Sequence, residues 1–289
     1  MSSTSDKTSQ QITLSDGRRL GYAEYGAPQG KPVFYFHGFP SSRLEWPLFD
    51  SDATATQLGA RVIAVDRPGM GLSDFERRRR LLDWPNDVAE LADALQLDRF
   101  SVLGISGGGP YAAACALMFP GRLAAAAIVS GMGPSEAPGA RDGTAMLLPG
   151  KTPWMRRLLL IGMAAGLRRD PDRIISQFEA ASSEPDRALF ARPEVRQMFI
   201  DALREAVRPG TRGASCEGAL YARPWGFRLE DISMEIHLWH GELDASVPPS
   251  VGRYVADAIP SCRARFFPDE GHVSLGVSHM EEILSALVV

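Results

Sequence analysis

Only three cysteines, Cys115, Cys216 and Cys262, occur among 289 residues, and none stands in a C-x-x-C spacing. That spacing excludes a disulfide framework and offers no zinc site; reduced thiols fit a cytoplasmic protein. Basic charge is also short. Thirty-one Lys and Arg against 35 Asp and Glu leave a formal charge of −4, so the chain lacks the basic stripe that nucleic acid or an anionic membrane surface would call for. The one basic run, Arg77-Arg78-Arg79-Arg80, is flanked by acidic residues and reads as a solvated helix start. Long apolar runs are missing as well: the longest, Leu158 to Leu167, is about half of what a bilayer span needs. The first ten residues, MSSTSDKTSQ, are polar and carry no apolar segment of a signal peptide. There is no H-E-x-x-H or comparable ligand spacing and no fixed-period repeat. The expectation is a soluble, cytoplasmic protein with no metal, no nucleic-acid partner and no membrane insertion; its oligomeric state is left open.

What the chain does have is alternation. After Gln11 to Leu14 and Arg19 to Tyr25, a hairpin turning at Ser15-Asp16-Gly17, come the apolar runs Pro32–His37, Arg61–Asp66, Phe100–Ile105 and Leu123–Ser130. Runs of this length and composition are those of buried parallel strands. Helical patterns separate them, among them Asp87 to Leu95, with apolar residues at 88, 91, 92 and 95 and Asn86 or Asp87 placed as a cap. The alternation resumes with Glu235–His240, a helix near Val251–Ala258, Ala264–Pro268 and a last helix from about Ser278 to Leu287. Strand followed by helix, repeated, predicts an α/β protein with a doubly wound, mostly parallel sheet. Residues 1–10 read as a disordered tail, 11–133 and 232–289 as the α/β core, and 134–231, helical without a convincing strand, as an inserted cap.

Within this frame, Gly104-Ile105-Ser106-Gly107-Gly108 follows a strand and opens a helix. The G-x-S-x-G pattern in that context is a nucleophile elbow: the serine sits on a strained turn, and side chains two residues before and after would collide. A phosphate-binding glycine turn and a purely structural turn are the alternatives. The first lacks the Lys-Ser/Thr of a P-loop and the acidic residue of a dinucleotide site. A serine hydroxyl needs a base, usually a histidine oriented by a carboxylate. His272, in Glu270-Gly271-His272, and Asp244, in Gly241-Glu242-Leu243-Asp244, lie on loops just past apolar strands, and Ser106, Asp244, His272 is a known chain order for such a triad. Glu242, Asp269 and Glu270 are rival carboxylates, Glu242 the main one. Oxyanion donors are expected from the Phe39 and Gly107 N–H groups. His37 and Gly38, at a strand end, and Trp225, near the return from cap to core, are candidate substrate contacts, although His37 reads more as a loop-holding residue and Trp225 is as readily a hinge. The glycines after Ser106 are expected to leave room for an acyl group.

These segments, together with Asp66-Arg67-Pro68-Gly69-Met70-Gly71-Leu72-Ser73 and Val247-Pro248, make the chain resemble the α/β-hydrolase family from about Ile12 to Leu287. The resemblance implies Ser106 as nucleophile, His272 as base, Asp244 as orienter and no cofactor. It does not fix the reaction. A serine at the elbow is unlike the dehalogenase and epoxide hydrolase branches, and Gly107 stands where the prolyl aminopeptidase branch has tryptophan. The expectation is therefore a serine hydrolase, a carboxylesterase, acting on a small to medium apolar acyl substrate. An aminopeptidase or C–C bond hydrolase with the same triad, and a non-catalytic ligand receptor on a hydrolase scaffold, are the alternatives.

Overall fold

The computed structural model describes residues 7–142 and 152–289. Eight strands form one sheet: β1 (Gln10–Thr13), β2 (Arg19–Gly26), β3 (Lys31–Phe36), β4 (Ala60–Val65), β5 (Phe100–Ile105), β6 (Leu123–Val129), β7 (Ile236–Gly241) and β8 (Cys262–Phe267). Their order across the sheet is β1-β2-β4-β3-β5-β6-β7-β8. The β1–β2 and β2–β4 pairs are antiparallel and all others parallel.

Alternate residues of the strands feed two cores. Phe34, Phe36 and Val102 face one side, where α2 (Trp84–Ala94), α3 (Gly109–Met118) and α9 (Pro249–Ala258) supply Val88, Ala112 and Val251. Val33, Tyr35 and Leu103 face the other, against α1 (Asp52–Gln57) and α10 (Ser274–Ser285), with Ala55, Leu275 and Ile283. Covering both faces removes the inner strands from water along their whole length, which is why they read as unbroken apolar runs. All six residues of β5 are buried, and each Val, Leu or Ile in such a position contributes about 1.5–3 kcal/mol. Its one polar side chain is satisfied: Ser101 donates to the Leu287 carbonyl at 2.6 Å.

Between β6 and β7 the described residues form helices α4 (Pro153–Arg169), α5 (Pro171–Ala180), α6 (Glu184–Phe190), α7 (Pro193–Ala206) and α8 (Arg212–Tyr221) and no strand. No helix among the described residues is long and apolar enough to cross a membrane.

Several local readings are corrected. Residues 7–10 are not tail: the Lys7 carbonyl accepts from Glu24 N–H at 2.8 Å, and Gln10 begins β1. The rest of the expected tail, 1–6, lies outside the described residues. Helix α2 starts at Trp84 with Pro85 in its first turn, and Asp87 serves not as its cap but as a two-pronged partner of Arg18, at 2.7 and 3.0 Å. Helix α10 starts four residues earlier than its sequence pattern suggests, because its first N–H groups are capped by Asp186 of α6, a residue far away in the chain.

Candidate active site

The carboxyl ends of β3, β5, β7 and β8 open on the same edge of the sheet, at the point where strand order reverses, a usual place for ligands in such sheets. Ser106 stands there, just after β5, with φ of +53°. Two glycines make that strained turn fit. A Cβ on Gly104 would stand 2.3 Å from the Gly108 carbonyl oxygen, and one on Gly108 would stand 2.0 Å from that of Phe36. The short helical turn at Ser106–Gly108 runs into α3, so the serine lies where first-turn N–H groups are unpaired and favour negative charge.

His272, on the loop after β8, and Asp244, on the loop after β7, meet: His272 Nδ1 donates to Asp244 Oδ2 at 2.8 Å. The other Asp244 oxygen accepts from the N–H groups of Ser246 and Val247, both at 2.8 Å. Burial alone would raise the pKa of Asp244; His272, His240 and the Val247 N–H outweigh it and hold the carboxylate below its ordinary value. For His272, burial pushes the pKa down, but Asp244 wins and the ring titrates above its ordinary value. Glu242, the rival carboxylate, pairs instead with Arg253. No hydrogen bond joins Ser106 to the His272 ring among the described residues; such contacts commonly tighten only when substrate is bound.

His272 is held from its backbone as well. Asp186, buried in the helical insertion, accepts from the N–H groups of His272, Val273 and Ser274 at 2.9 Å each. A second carboxylate of the insertion supports the opposite side of the site. Glu217 of α8 pairs with Arg67 and Arg79 in full burial. Arg67 in turn donates to the carbonyls of His37 at 2.5 Å and Gly38 at 2.7 Å, holding the loop whose next N–H is that of Phe39. That N–H donates to no group among the described residues and lies 3.3 Å from where a Gly107 Cβ would stand. The Tyr221 hydroxyl, 2.5 Å from Glu217, also reaches the Gly107 carbonyl at 2.7 Å.

A cleft of about 1000 Å³ opens over Ser106 and His272, between the sheet edge and the insertion. Gly38 and Phe39 line it, together with Leu48, Phe49, Met163 and Phe178. Two expected contacts do not. His37 is fully buried beneath the loop, its Nδ1 donating to the Gly38 carbonyl at 2.9 Å while burial and Arg67 hold it neutral. Trp225 is buried beside Phe227 in the core that also holds Val88, Ala112 and Val251. Gly107 leaves no room for an acyl group either: a Cβ there would meet Phe39 and the Tyr221 hydroxyl at 2.7 and 2.8 Å. Arg79 is not a solvated residue but a buried partner of Glu217, whereas Arg77, Arg78 and Arg80 are exposed. On α4, Leu158 and Leu159 line the cleft and are exposed.

Glu45, Asp186 and Glu217 were not visible as site residues in the sequence. The available signal was an acidic residue inside an apolar patch, as in Leu44-Glu45-Trp46, and a Ser183-x-x-Asp186 spacing at a helix start.

A mostly parallel sheet of this order, with a serine elbow after β5 and a carboxylate and a histidine after β7 and β8, defines an α/β hydrolase. The chain belongs to the alpha/beta hydrolase fold family, whose model matches residues 31–278. Among solved structures, it is similar to an esterase from Rhodococcus sp. (TM-score 0.70, 22% identity, 97% of this chain and 99% of that one). It is also similar to a hydrolase from Pseudomonas aeruginosa (TM-score 0.72, 22% identity, 99% and 97%). In sequence it is 38% identical over 125 residues to a non-heme chloroperoxidase of Streptomyces lividans, a match spanning 43% of this chain and 45% of that protein. A 2-hydroxy-6-oxononadienedioate/2-hydroxy-6-oxononatrienedioate hydrolase of Cupriavidus pinatubonensis matches at 27% identity over 92% of this chain and 89% of its own length. The match thus spans less than half the length of the first of these relatives and most of the second.

Proposed function

We propose that the protein is a serine hydrolase that cleaves a carboxylic ester, or a related acyl bond, of a small to medium apolar substrate through an acyl-enzyme on Ser106. The observation that carries this reading is the opening of Ser106, at a φ of +53°, into the same cleft as a histidine whose Nδ1 is held by a buried carboxylate. In this mechanism the His272 Nε2 takes the Ser106 proton as Oγ attacks the carbonyl carbon. Asp244 fixes the tautomer that leaves Nε2 free and balances the imidazolium that forms. The Phe39 and Gly107 N–H groups receive the oxyanion; one such donor is typically worth 10²–10³ in rate. His272 then returns the proton to the leaving alcohol, and water activated by the same ring releases the acid. The helices over the cleft act as a cap, and their apolar lining suits the hydrocarbon part of the substrate.

A C–C bond hydrolase acting on a diketone is the second reading, favoured by the near full-length match to the Cupriavidus hydrolase. Turnover of p-nitrophenyl esters and of vinylogous diketones by the wild type and by Ser106→Ala separates the two. Ester hydrolysis that exceeds diketone cleavage and vanishes in the variant supports the esterase; the reverse preference supports the second reading, and unchanged turnover in the variant removes both.

A further inference from the structure

Of the carboxyl groups that line the cleft, Glu45 lies beside Ser106 and takes no part in the proposed chemistry. Glu45 lies in the short 3₁₀ segment Arg43–Phe49, is 6% exposed and lines the cleft. Its Oε2 is occupied: the Gly38 N–H donates to it at 2.7 Å, and the Tyr35 hydroxyl donates as well. Its Oε1 accepts no hydrogen bond of ordinary geometry among the described residues. Ser41 Oγ is close enough to ease the burial of the carboxylate, yet is itself left without a partner.

Gly38 places Oε1 beside the nucleophile. The point where a Gly38 Cβ would stand lies 2.9 Å from Glu45 Oε1 and 3.6 Å from Ser106 Cβ. The bare face of Gly38 thus borders both Glu45 Oε1 and the serine. Burial raises the pKa of Glu45 against the pull of Tyr35, Gly38, Ser41 and Arg67. An acyl chain bound to Ser106 displaces water from this spot, and an alkyl group would leave Oε1 buried and unpaired, which is costly.

We infer that Glu45 selects the acyl group, so that the site takes substrates with a hydrogen-bond donor, a hydroxyl or an ammonium, on the carbon next to the scissile carbonyl. The inference rests on Ser106 being the nucleophile. In this inference the donor on the carbon next to the carbonyl pairs with Oε1, and the apolar remainder lies against Leu48, Phe49 and Phe178, which line the cleft. A site built around a hydrogen bond rejects the analogue that lacks the partner far more strongly than an apolar pocket rejects a missing methylene.

The test is kcat/KM for p-nitrophenyl esters of matched chain length, 2-hydroxy, 2-amino and unsubstituted, with wild type, Glu45→Gln and Glu45→Leu. Fluorophosphonate labelling of Ser106 is scored separately. The wild type is expected to favour a donor-bearing ester over the unsubstituted one by at least about tenfold. Glu45→Leu should bring that ratio to about one by raising the rate on the unsubstituted ester relative to the others. Glu45→Gln, the fold-preserving variant, should keep part of the 2-hydroxy preference and lose the 2-amino preference if an ammonium is the favoured donor; loss of neither relative to wild type counts against the proposal. A carboxylate that merely holds Gly38 would change all three rates by the same factor. Ser106 labelled with equal ratios in wild type and variants, or with no turnover of any matched ester, overturns the role of Glu45 alone; no labelling of Ser106 overturns the proposed nucleophile and this role with it.

Discussion

The sheet and the helical insertion reach the cleft with opposite kinds of surface. The sheet contributes side chains on loops just past strand ends, Ser106 after the fully buried β5, Asp244 after the mostly buried β7 and His272 after the edge strand β8, so all three are held by short local connections. The insertion contributes helices with large apolar groups exposed, Trp154 at 65% among them, and it is fastened to the sheet by two buried carboxylates, Asp186 and Glu217. The difference teaches where rigidity comes from. In the sheet it is burial of apolar area, which is distributed and tolerant; the insertion adds to its own buried apolar side chains, Leu167, Phe190 and Leu203 among them, a few charged contacts, each of which fails badly when one partner is removed.

The largest effect expected from breaking this contrast is on the sheet side. Asp244→Asn keeps the shape of the loop and the acceptor for Ser246 and Val247 but presents the wrong partner to His272 Nδ1. It should lower kcat by about 10³–10⁴-fold, with little change in thermal unfolding. On the insertion side, Glu217→Leu leaves Arg67 and Arg79 buried without their counter-charge. Chemical denaturation should show a loss of about 3–5 kcal/mol, accompanied by slower turnover, because Arg67 also holds the His37 and Gly38 carbonyls. Asp186→Asn is milder, costing about 1–3 kcal/mol and lowering kcat/KM several-fold by freeing the His272 backbone; a rate unchanged from wild type would show that Asp186 secures only the fold. The smallest effect is a shift in pH profile. The folded-state pKa of His272 is raised, so the charged His272–Asp244 pair stabilises the fold most below the unfolded pKa, and that contribution is lost as pH rises through the folded value. Turnover runs the other way, since the base must be neutral: its acid limb should have a midpoint above the ordinary 6.5.

The same contrast explains what the sequence made legible. Parallel strands covered on both faces leave apolar runs that can be read directly, and a residue just beyond such a run belongs to the carboxyl edge of the sheet. Position at that edge does not tell which way a side chain points: His37 turns under its loop, while Gly38 and Phe39 face the cleft. Glu217 meets Arg67 across 150 residues of chain, and Asp186 caps a helix 88 residues further on. Pairings at that range leave no local pattern, so Arg79 read as solvated, α10 read as starting late and Asp87 read as a cap. Trp225 joins the core for a similar reason: nothing in Arg223-Pro224-Trp225-Gly226-Phe227 tells whether the ring faces the cleft or the core, and tertiary packing decides.

The most direct test of the central claim is intact-mass labelling with a fluorophosphonate on wild type, Ser106→Ala and His272→Ala. One adduct on the wild type, absent from both folded variants, is the predicted result, since the serine is reactive only through the histidine. No adduct on folded wild type, or an adduct that survives in Ser106→Ala, would contradict it.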